Sequence, residues 1–339
     1  MSATAAVGGP QGARGTDAIA GWARRNTWTV GLVGLLVFFF ATTKLIQPSY
    51  STSDIQSFAI SVLPLALAAV AQAIVVISGG IDLSVGPLMA LTSVTAAVLM
   101  TGQSDAAAIL VVAAILVMGL ILGAINGALI VGSRVPDIVV TLAMSFVWAG
   151  AALLVLSTPG GSAAAWLMAS IDGPLVSGIA ITDLVPRALV MLVVVVGIVW
   201  IPLRRSTLGL SLYAVGSNRL AAFRSGVPVG RTKIVAYALT GLFAALGGLA
   251  LTASTGIGSP VPGNYTLESV AAIVLGGVSL AGGRGGVLGP IIAVVVLALI
   301  RTDLTFLGVN PNFAEVVQGV ILIGVVMFGS FVAMRRVRA

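Results

Sequence analysis

The chain has 339 residues, of which 58% are hydrophobic and only 8% charged, and its mean hydropathy is +1.15; a soluble domain carries roughly 25% charged residues, so a soluble protein is excluded in favour of a polytopic membrane protein. It holds no cysteine and no histidine, which excludes disulfides, Cys/His zinc sites, cysteine nucleophiles, Ser-His-Asp triads and histidine proton relays. A formal charge of +7 would by itself suit a nucleic-acid partner, but the positions of the charges point elsewhere.

In chain order, residues 1–27 are polar, small and glycine-rich and read as a disordered cytoplasmic tail. A transmembrane region over 28–334 follows, with a short basic tail over 335–339. Apolar runs predict an all-α fold of about ten membrane spans. The first five lie near Trp28–Ile46, Gln56–Ile77, Leu83–Thr101, Ala106–Val131 and Ile138–Ser157. The second five lie near Leu184–Leu203, Ile234–Ser254, Leu267–Leu280, Val287–Leu304 and Phe313–Met334. With the N-terminus inside, only Lys44, Arg187 and Arg301 of the 17 basic residues fall toward the outer face. That asymmetry is the positive-inside pattern; it favours cytoplasmic termini and an even number of spans, and it makes nucleic-acid binding unnecessary.

Between the second and third spans, Ser78-Gly79-Gly80-Ile81-Asp82-Leu83-Ser84-Val85-Gly86 breaks the apolar pattern. Paired glycines and an acid spoil a continuous helix, and lipid cannot satisfy the freed backbone groups, so the break must be packed in protein or line a polar cavity. Transporters place sites and gates at such interruptions, although a tight turn between two spans gives the same spacing. Asp82 reads either as a cap for the third span or as part of a gate.

The longest inner stretch runs from about Arg204 to Lys233. Within it Ser217 or Asn218 can cap a short helix, Leu220 to Phe223 propagate it, and Gly226 followed by Pro228 ends it. Such a helix would expose Arg219 and Arg224 to a partner, whereas positive-inside charge alone would produce an ordinary basic loop.

Four blocks then occur in a familiar order: Ser78–Gly86; Asn126-Gly127 before Arg134 and Pro136; Ala214-Val215-Gly216 with Ala221-Ala222 and Ser225-Gly226; and Leu267-Glu268-Ser269-Val270-Ala271-Ala272-Ile273-Val274-Leu275-Gly276-Gly277-Val278-Ser279-Leu280-Ala281-Gly282-Gly283. Together they resemble the permease subunit of bacterial ABC importers of the ribose-type monosaccharide family, over nearly the whole chain from about Trp28 to Met334. Two positions depart from that pattern. Phe223-Arg224 stands where the family usually has a basic residue followed by leucine, and Asp137 follows Pro136 where an apolar or aromatic residue is usual.

The resemblance implies a homo- or heterodimer of permeases around a central path in the cytoplasmic membrane. It also implies a cytoplasmic ATPase docked on the loop here formed by Ser217, Asn218, Arg219, Ala222, Arg224, Ser225 and Gly226, and an extracytoplasmic protein that delivers the sugar. The residues agree with that division of labour. No G-x-x-x-x-G-K-[ST] phosphate loop occurs around Lys44 or Lys233, so no enzyme activity, catalytic residue, cofactor or metal is expected in this chain. The acids fall near span ends or in tails and loops, so an ion relay within the membrane is not indicated. An ABC permease for branched-chain amino acids or nucleosides is the nearest alternative, and a secondary transporter a more distant one.

Intramembrane polar residues are the candidates for the path or gate: Asp82, Gln72, Asn126, Glu268 and Gln318, with Ser145, Thr240, Trp148 and Tyr237 beside them. Helix–helix hydrogen bonding is the commoner explanation for such residues, and Gly119, Gly123 and Gly127, spaced four apart, read first as close helix packing. Finally, Gly79-Gly80-Ile81-Asp82-Leu83-Ser84-Val85-Gly86 echoes Gly276-Gly277-Val278-Ser279-Leu280-Ala281-Gly282-Gly283 in the pattern G-G-[IV]-x-L-x-x-G. Paired interruptions point to a site between repeats, or to convergence of glycine-rich turns in a chain with 42 glycines.

Overall fold

A computed structural model describes residues 27–176, 185–261, 263–310 and isolated positions from 313 to 327. These residues form α1 (Thr27–Ile46), α2 (Thr52–Ile77), α3 (Val85–Met100), α4 (Asp105–Ser133), α5 (Asp137–Val155) and α6 (Ala165–Ile171). They continue as α7 (Arg187–Arg205), α8 (Thr207–Ser217), α9 (Arg219–Arg224), α10 (Val229–Thr255), α11 (Tyr265–Leu275) and α12 (Leu288–Phe306). Seven of them, α1, α2, α4, α5, α7, α10 and α12, are long and apolar enough to cross a membrane. The protein is a polytopic all-α membrane protein. The expected last span, with Gln318 and Glu315, falls for the most part outside the described residues, as do both tails.

Two expected spans are shorter than a bilayer. The helices α3 and α11 have 16 and 11 residues, about 24 and 17 Å at 1.5 Å per residue, against roughly 30 Å of hydrocarbon. The span expected over Leu267–Leu280 stops at Leu275 because Gly276 and Gly277 end the helix.

The helices α2 and α10 form the centre of the bundle. Every residue from Val62 to Ile77 of α2 is buried, and α10 packs against α4, α2 and α3. The α4–α10 contact is backbone to backbone. A methyl on Gly123 would lie 3.0 Å from the Gly241 amide nitrogen, and one on Gly127 2.8 Å from Ile234 Cα, so the Gly119/Gly123/Gly127 series is the small-residue seam expected of it. Outer helices instead turn apolar side chains outward, among them Phe38, Leu110, Phe146 and Ile198, as contact with lipid tails requires.

One end of the bundle carries α8 and α9 and is called the loop end. At the far end, Gly160 pairs with Gly258, and the Ser162 N–H donates to the Ala97 carbonyl near the end of α3 at 3.2 Å. The helix α2, at 26 residues, runs about 39 Å and reaches the loop end. The shorter α3 begins inside the bundle, so residues 78–84 re-enter it as irregular backbone. Ser78, Asp82 and Ser84 are buried there in protein, which is the condition for such backbone at membrane depth.

Candidate gate and coupling site

The two glycine-rich breaks end their helices by the same device. After α2, the Gly79 N–H donates to Val76 O (2.9 Å) and the Gly80 N–H to Val75 O (3.0 Å), with Gly79 at φ +78°. After α11, the Gly277 N–H donates to Val274 O (3.1 Å) and the Val278 N–H to Ile273 O (2.9 Å), with Gly277 also at φ +78°. Both are Schellman caps, which need a residue free to adopt the left-handed conformation. The geometry pairs Gly79 with Gly277, one residue out of the register of the sequence echo. The same cap ends α9 at Gly226 and α12 at Gly308, so it is a shared way of stopping helices and does not by itself mark a repeat.

The two breaks nevertheless meet, and α8 sits on the junction. The Gly283 N–H donates to the Ile77 carbonyl at 2.9 Å, tying the second break to the end of α2. A methyl on Gly282 would lie 2.9 Å from Gly79 Cα, one on Gly79 3.3 Å from Gly216 Cα, and one on Gly216 2.6 Å from Gly283 N while overlapping the Ile77 oxygen. Three backbone segments therefore pack without side chains between them, and only glycine permits that approach. The Tyr213 hydroxyl adds a bond to Gly285 O at 2.8 Å. On the other side, Trp28 Nε1 donates to Leu275 O at 3.0 Å.

Deeper in the bundle, the first break is pinned by a polar network. Asp82 is wholly buried, and its Oδ1 accepts from the Ser84 N–H (2.8 Å) and the Ser84 hydroxyl (2.6 Å). Asn126 Nδ2 donates to Ser84 Oγ at 2.8 Å, and Trp148 Nε1 donates to Asn126 Oδ1 at 3.3 Å. Asp82 thus fixes the turn ahead of α3; the N-cap position itself is Ser84, whose side chain makes no cap. Thr141 of α5 accepts from the Leu83 N–H at 3.1 Å, and Thr266 of α11 accepts from the Gly86 N–H at 3.0 Å. The two short helices α3 and α11 begin side by side in the interior.

Asp137, which the sequence left without a partner, is answered by α10. Lys233 Nζ donates to both of its carboxylate oxygens, at 2.6 Å to Oδ1, and the Tyr237 hydroxyl lies 3.0 Å from Oδ2 and 3.3 Å from Ile81 O. The side chains of Lys233 and Asp137 are only 6% and 15% exposed. A methyl on Gly80 would stand 2.7 Å from both Asp137 Oδ2 and the Tyr237 oxygen, so the glycine lets this cluster close against the break. Asp137, Lys233, the first break and the end of α8 line one open cleft of about 450 Å³ at the loop end.

The sequence candidates divide between enclosed and open positions. Gln72 and Asn126 are buried with Asp82, and neither polar atom of the Gln72 carboxamide has a hydrogen-bond partner among the described residues. Thr240 donates across to Ala71 O at 3.1 Å, which is the helix–helix role expected of it. Glu268 lies apart, in a cleft between α2, α11 and α12, where it accepts from Arg301 Nη2 at 2.7 Å. Along the loop, Asn218 caps α9 through the Ala221 N–H (2.9 Å), and Ser217, Asn218, Arg219, Arg224, Ser225 and Gly226 are exposed while Ala222 is buried. Leu220 and Phe223 are exposed as well, so α9 offers a mixed apolar and basic face. Sequence reasoning missed α8, Thr141, Thr266 and the Lys233 and Arg301 partners. Lone opposite charges at the ends of two apolar runs were the available signal for the pair formed by Asp137 and Lys233.

Residues 54–326 match the family model for the permease component of branched-chain amino acid transport systems. The chain belongs to this permease family. It is 31% identical over 293 residues to the ribose import permease protein RbsC of Escherichia coli K12, covering 86% of this chain and 90% of that protein. It is 28% identical to RbsC of Haemophilus influenzae, over 89% of this chain and 93% of that one. It is also 30% identical to the autoinducer 2 import system permease protein LsrD of Salmonella typhimurium, over 92% and 94%. No solved structure matches the chain. The matched region of the permease begins in α2 and takes in both breaks, α8, α9 and the buried network.

Proposed function

We propose that the permease is the membrane subunit of an ATP-driven importer that carries a monosaccharide, or a similarly small polyhydroxylated solute, into the bacterial cytoplasm. ATP hydrolysis belongs to a separate ATPase docked on α9 at the loop end, a second permease completes the path, and an extracytoplasmic binding protein delivers the solute. The loop end and both termini face the cytoplasm of a bacterial inner membrane, in keeping with the basic residues gathered there. The observation that carries the reading is Gly216: its helix, α8, adjoins the candidate docking helix and packs directly on both breaks. A push on the loop is thereby a push on the irregular backbone that transporters use as gates. The solute class is carried over from the ribose and autoinducer 2 permeases to which the chain is similar. The buried network is built mainly from neutral side chains, Ser84, Asn126, Trp148, Thr141 and Thr266, around the single carboxylate of Asp82, which suits a neutral solute.

The test is isolation of the complex in mild detergent, followed by reconstitution with its ATPase and binding protein in vesicles. ATP-dependent accumulation of labelled pentose or hexose supports the reading. Accumulation without any ATPase subunit, or of leucine alone, overturns it.

A further inference from the structure

The cleft that holds Glu268 lies between the outer half of α2, the start of α11 and the outer half of α12. It has a volume of about 310 Å³ and is lined by Ser61, Asn264, Tyr265, Glu268, Arg301 and Thr302 among others. That volume is at the lower end of small-molecule sites, about 300–1,000 Å³. Leu65, on its wall, stands 12 residues above the end of α2, so the cleft lies roughly 18 Å or more from the loop end. It is thus separate from the cleft beside Asp137, with which it shares no lining residue.

We propose that this cleft is a binding subsite for the imported sugar, with Glu268 and Arg301 receiving adjacent hydroxyl groups. The inference rests on the importer reading above and names where the solute is held. A carboxylate only accepts hydrogen bonds and a guanidinium only donates them, in a planar fork. Set 2.7 Å apart, the two present an acceptor and a donor side by side. A vicinal diol both donates and accepts, so it spans the pair without separating it. A zwitterionic amino acid offers a carboxylate to the remaining guanidinium N–H groups and an ammonium to the remaining carboxylate lone pairs, so it is the competing ligand and leucine is included in the test. A net-charged solute gains little from a pair that is already neutral. Hydroxyls of Ser61 and Thr302 and the carboxamide of Asn264, which makes no side-chain cap for α11, add further polar contacts, and the Tyr265 ring offers a flat apolar face for the sugar's C–H groups.

The pair could equally serve only to hold α11 to α12, and the test separates the two roles. The chain has no cysteine, and Ser61 is exposed on the cleft wall, so Ser61→Cys reports occupancy through its rate of reaction with a small thiol reagent. Full-length permease with its ATPase in membranes is labelled with and without D-ribose, D-xylose, L-arabinose, D-glucose, D-galactose and leucine. At least one of the sugars is expected to slow labelling roughly tenfold when it approaches saturation, and its deoxy analogues less. Adding Glu268→Gln should abolish protection, each rate being compared with that of the same variant without sugar. Arg301→Lys, which keeps the charge but not the fork, should weaken protection and serves if Glu268→Gln inserts poorly. Protection by none of the sugars, protection by leucine instead, or protection untouched by both variants overturns the subsite. Because this readout needs no transport, its failure alongside normal ATP-driven sugar uptake removes the subsite and leaves the importer reading standing.

Discussion

Replacing Gly216 with alanine places a methyl group on the junction of α8 with both breaks. The new carbon would overlap the Ile77 carbonyl oxygen and lie 2.6 Å from the Gly283 nitrogen, within the hydrogen bond that joins those two groups at 2.9 Å. All three neighbours are backbone, so no side chain can swing away, and α8 must shift relative to α2. Overpacking of this kind costs about 1–3 kcal/mol. If the cost falls on the conformation in which α8 is seated, the population of that conformation drops by roughly 5- to 150-fold. Coupled sugar uptake in vesicles should fall within that range while the ATPase still binds, since α9 keeps its Asn218 cap and its exposed face. Gly226→Ala is the comparison. Its methyl meets nothing and only the positive φ of +81° is strained, at roughly 1 kcal/mol, so uptake should change far less. Uptake per inserted complex is the measurement, with ATP consumed per sugar moved as its companion. Wild-type uptake and coupling in Gly216→Ala would refute the idea that α8 and the breaks move as one unit.

Three further outcomes follow from the geometry. Asp137→Asn or Lys233→Met alone strands a charge in a nearly closed site and should lower stability in detergent by about 3–5 kcal/mol; the double replacement Asp137→Leu with Lys233→Met should recover most of it, and simple additivity in thermal unfolding would contradict the pairing. Asp82→Asn keeps an acceptor for Ser84 and should fold at near wild-type yield, whereas Asp82→Ala leaves the Ser84 N–H and hydroxyl without that acceptor in the bundle interior and should cost about 1–3 kcal/mol; equal yields of the two variants would sink this role. In the cysteine-free chain, Thr207→Cys should react with an impermeant reagent only from the cytoplasm and Gln103→Cys only from outside, and reaction of both from one side would overturn the orientation.

Much of the fold was legible because membrane helices are written as long apolar runs. The expected spans over 28–46, 56–77, 106–131, 138–157 and 234–254 each coincide with a helix to within a few residues. The Asn218 cap and the Gly226 stop of α9 were also readable, since both depend on neighbours within a few positions. What failed was local in appearance and tertiary in cause. Leu275 to Leu280 is apolar enough to continue a span, yet the cap at Gly277 stops it. The segment 207–217 contains Gly209 and Gly216 and sits among arginines, so it read as loop. Its glycines serve close approach: a methyl on Gly209 would stand 2.9 Å from the Leu203 carbonyl carbon, just as Gly216 meets Ile77. Asp137 and Lys233 lie 96 positions apart and Glu268 and Arg301 lie 33 apart, beyond the reach of any periodicity.

The candidate residues also show why polarity alone did not separate a path from a scaffold. Asp82, Asn126 and Gln72 were chosen because polar groups are costly in a membrane, but burial within the bundle meets that cost as well as a path does, provided partners are present. Asn126 and the Oδ1 atom of Asp82 have such partners, in one chain of bonds through Ser84 to Trp148, while Asp82 Oδ2 has none among the described residues. Their effect is to give the first break a defined shape, held by α4, α5 and α11 at once. Below that shape the break meets α8 in direct backbone contact at Gly79 and Gly216. A displacement of α8 therefore reaches Gly79 directly, and above Gly79 the network around Asp82 resists local deformation. The movement the arrangement favours is a shift of the whole re-entrant segment together with α3 and α11, whose starts are joined at Gly86 and Thr266. Because α11 carries Glu268, such a shift would also move one wall of the cleft between α2, α11 and α12.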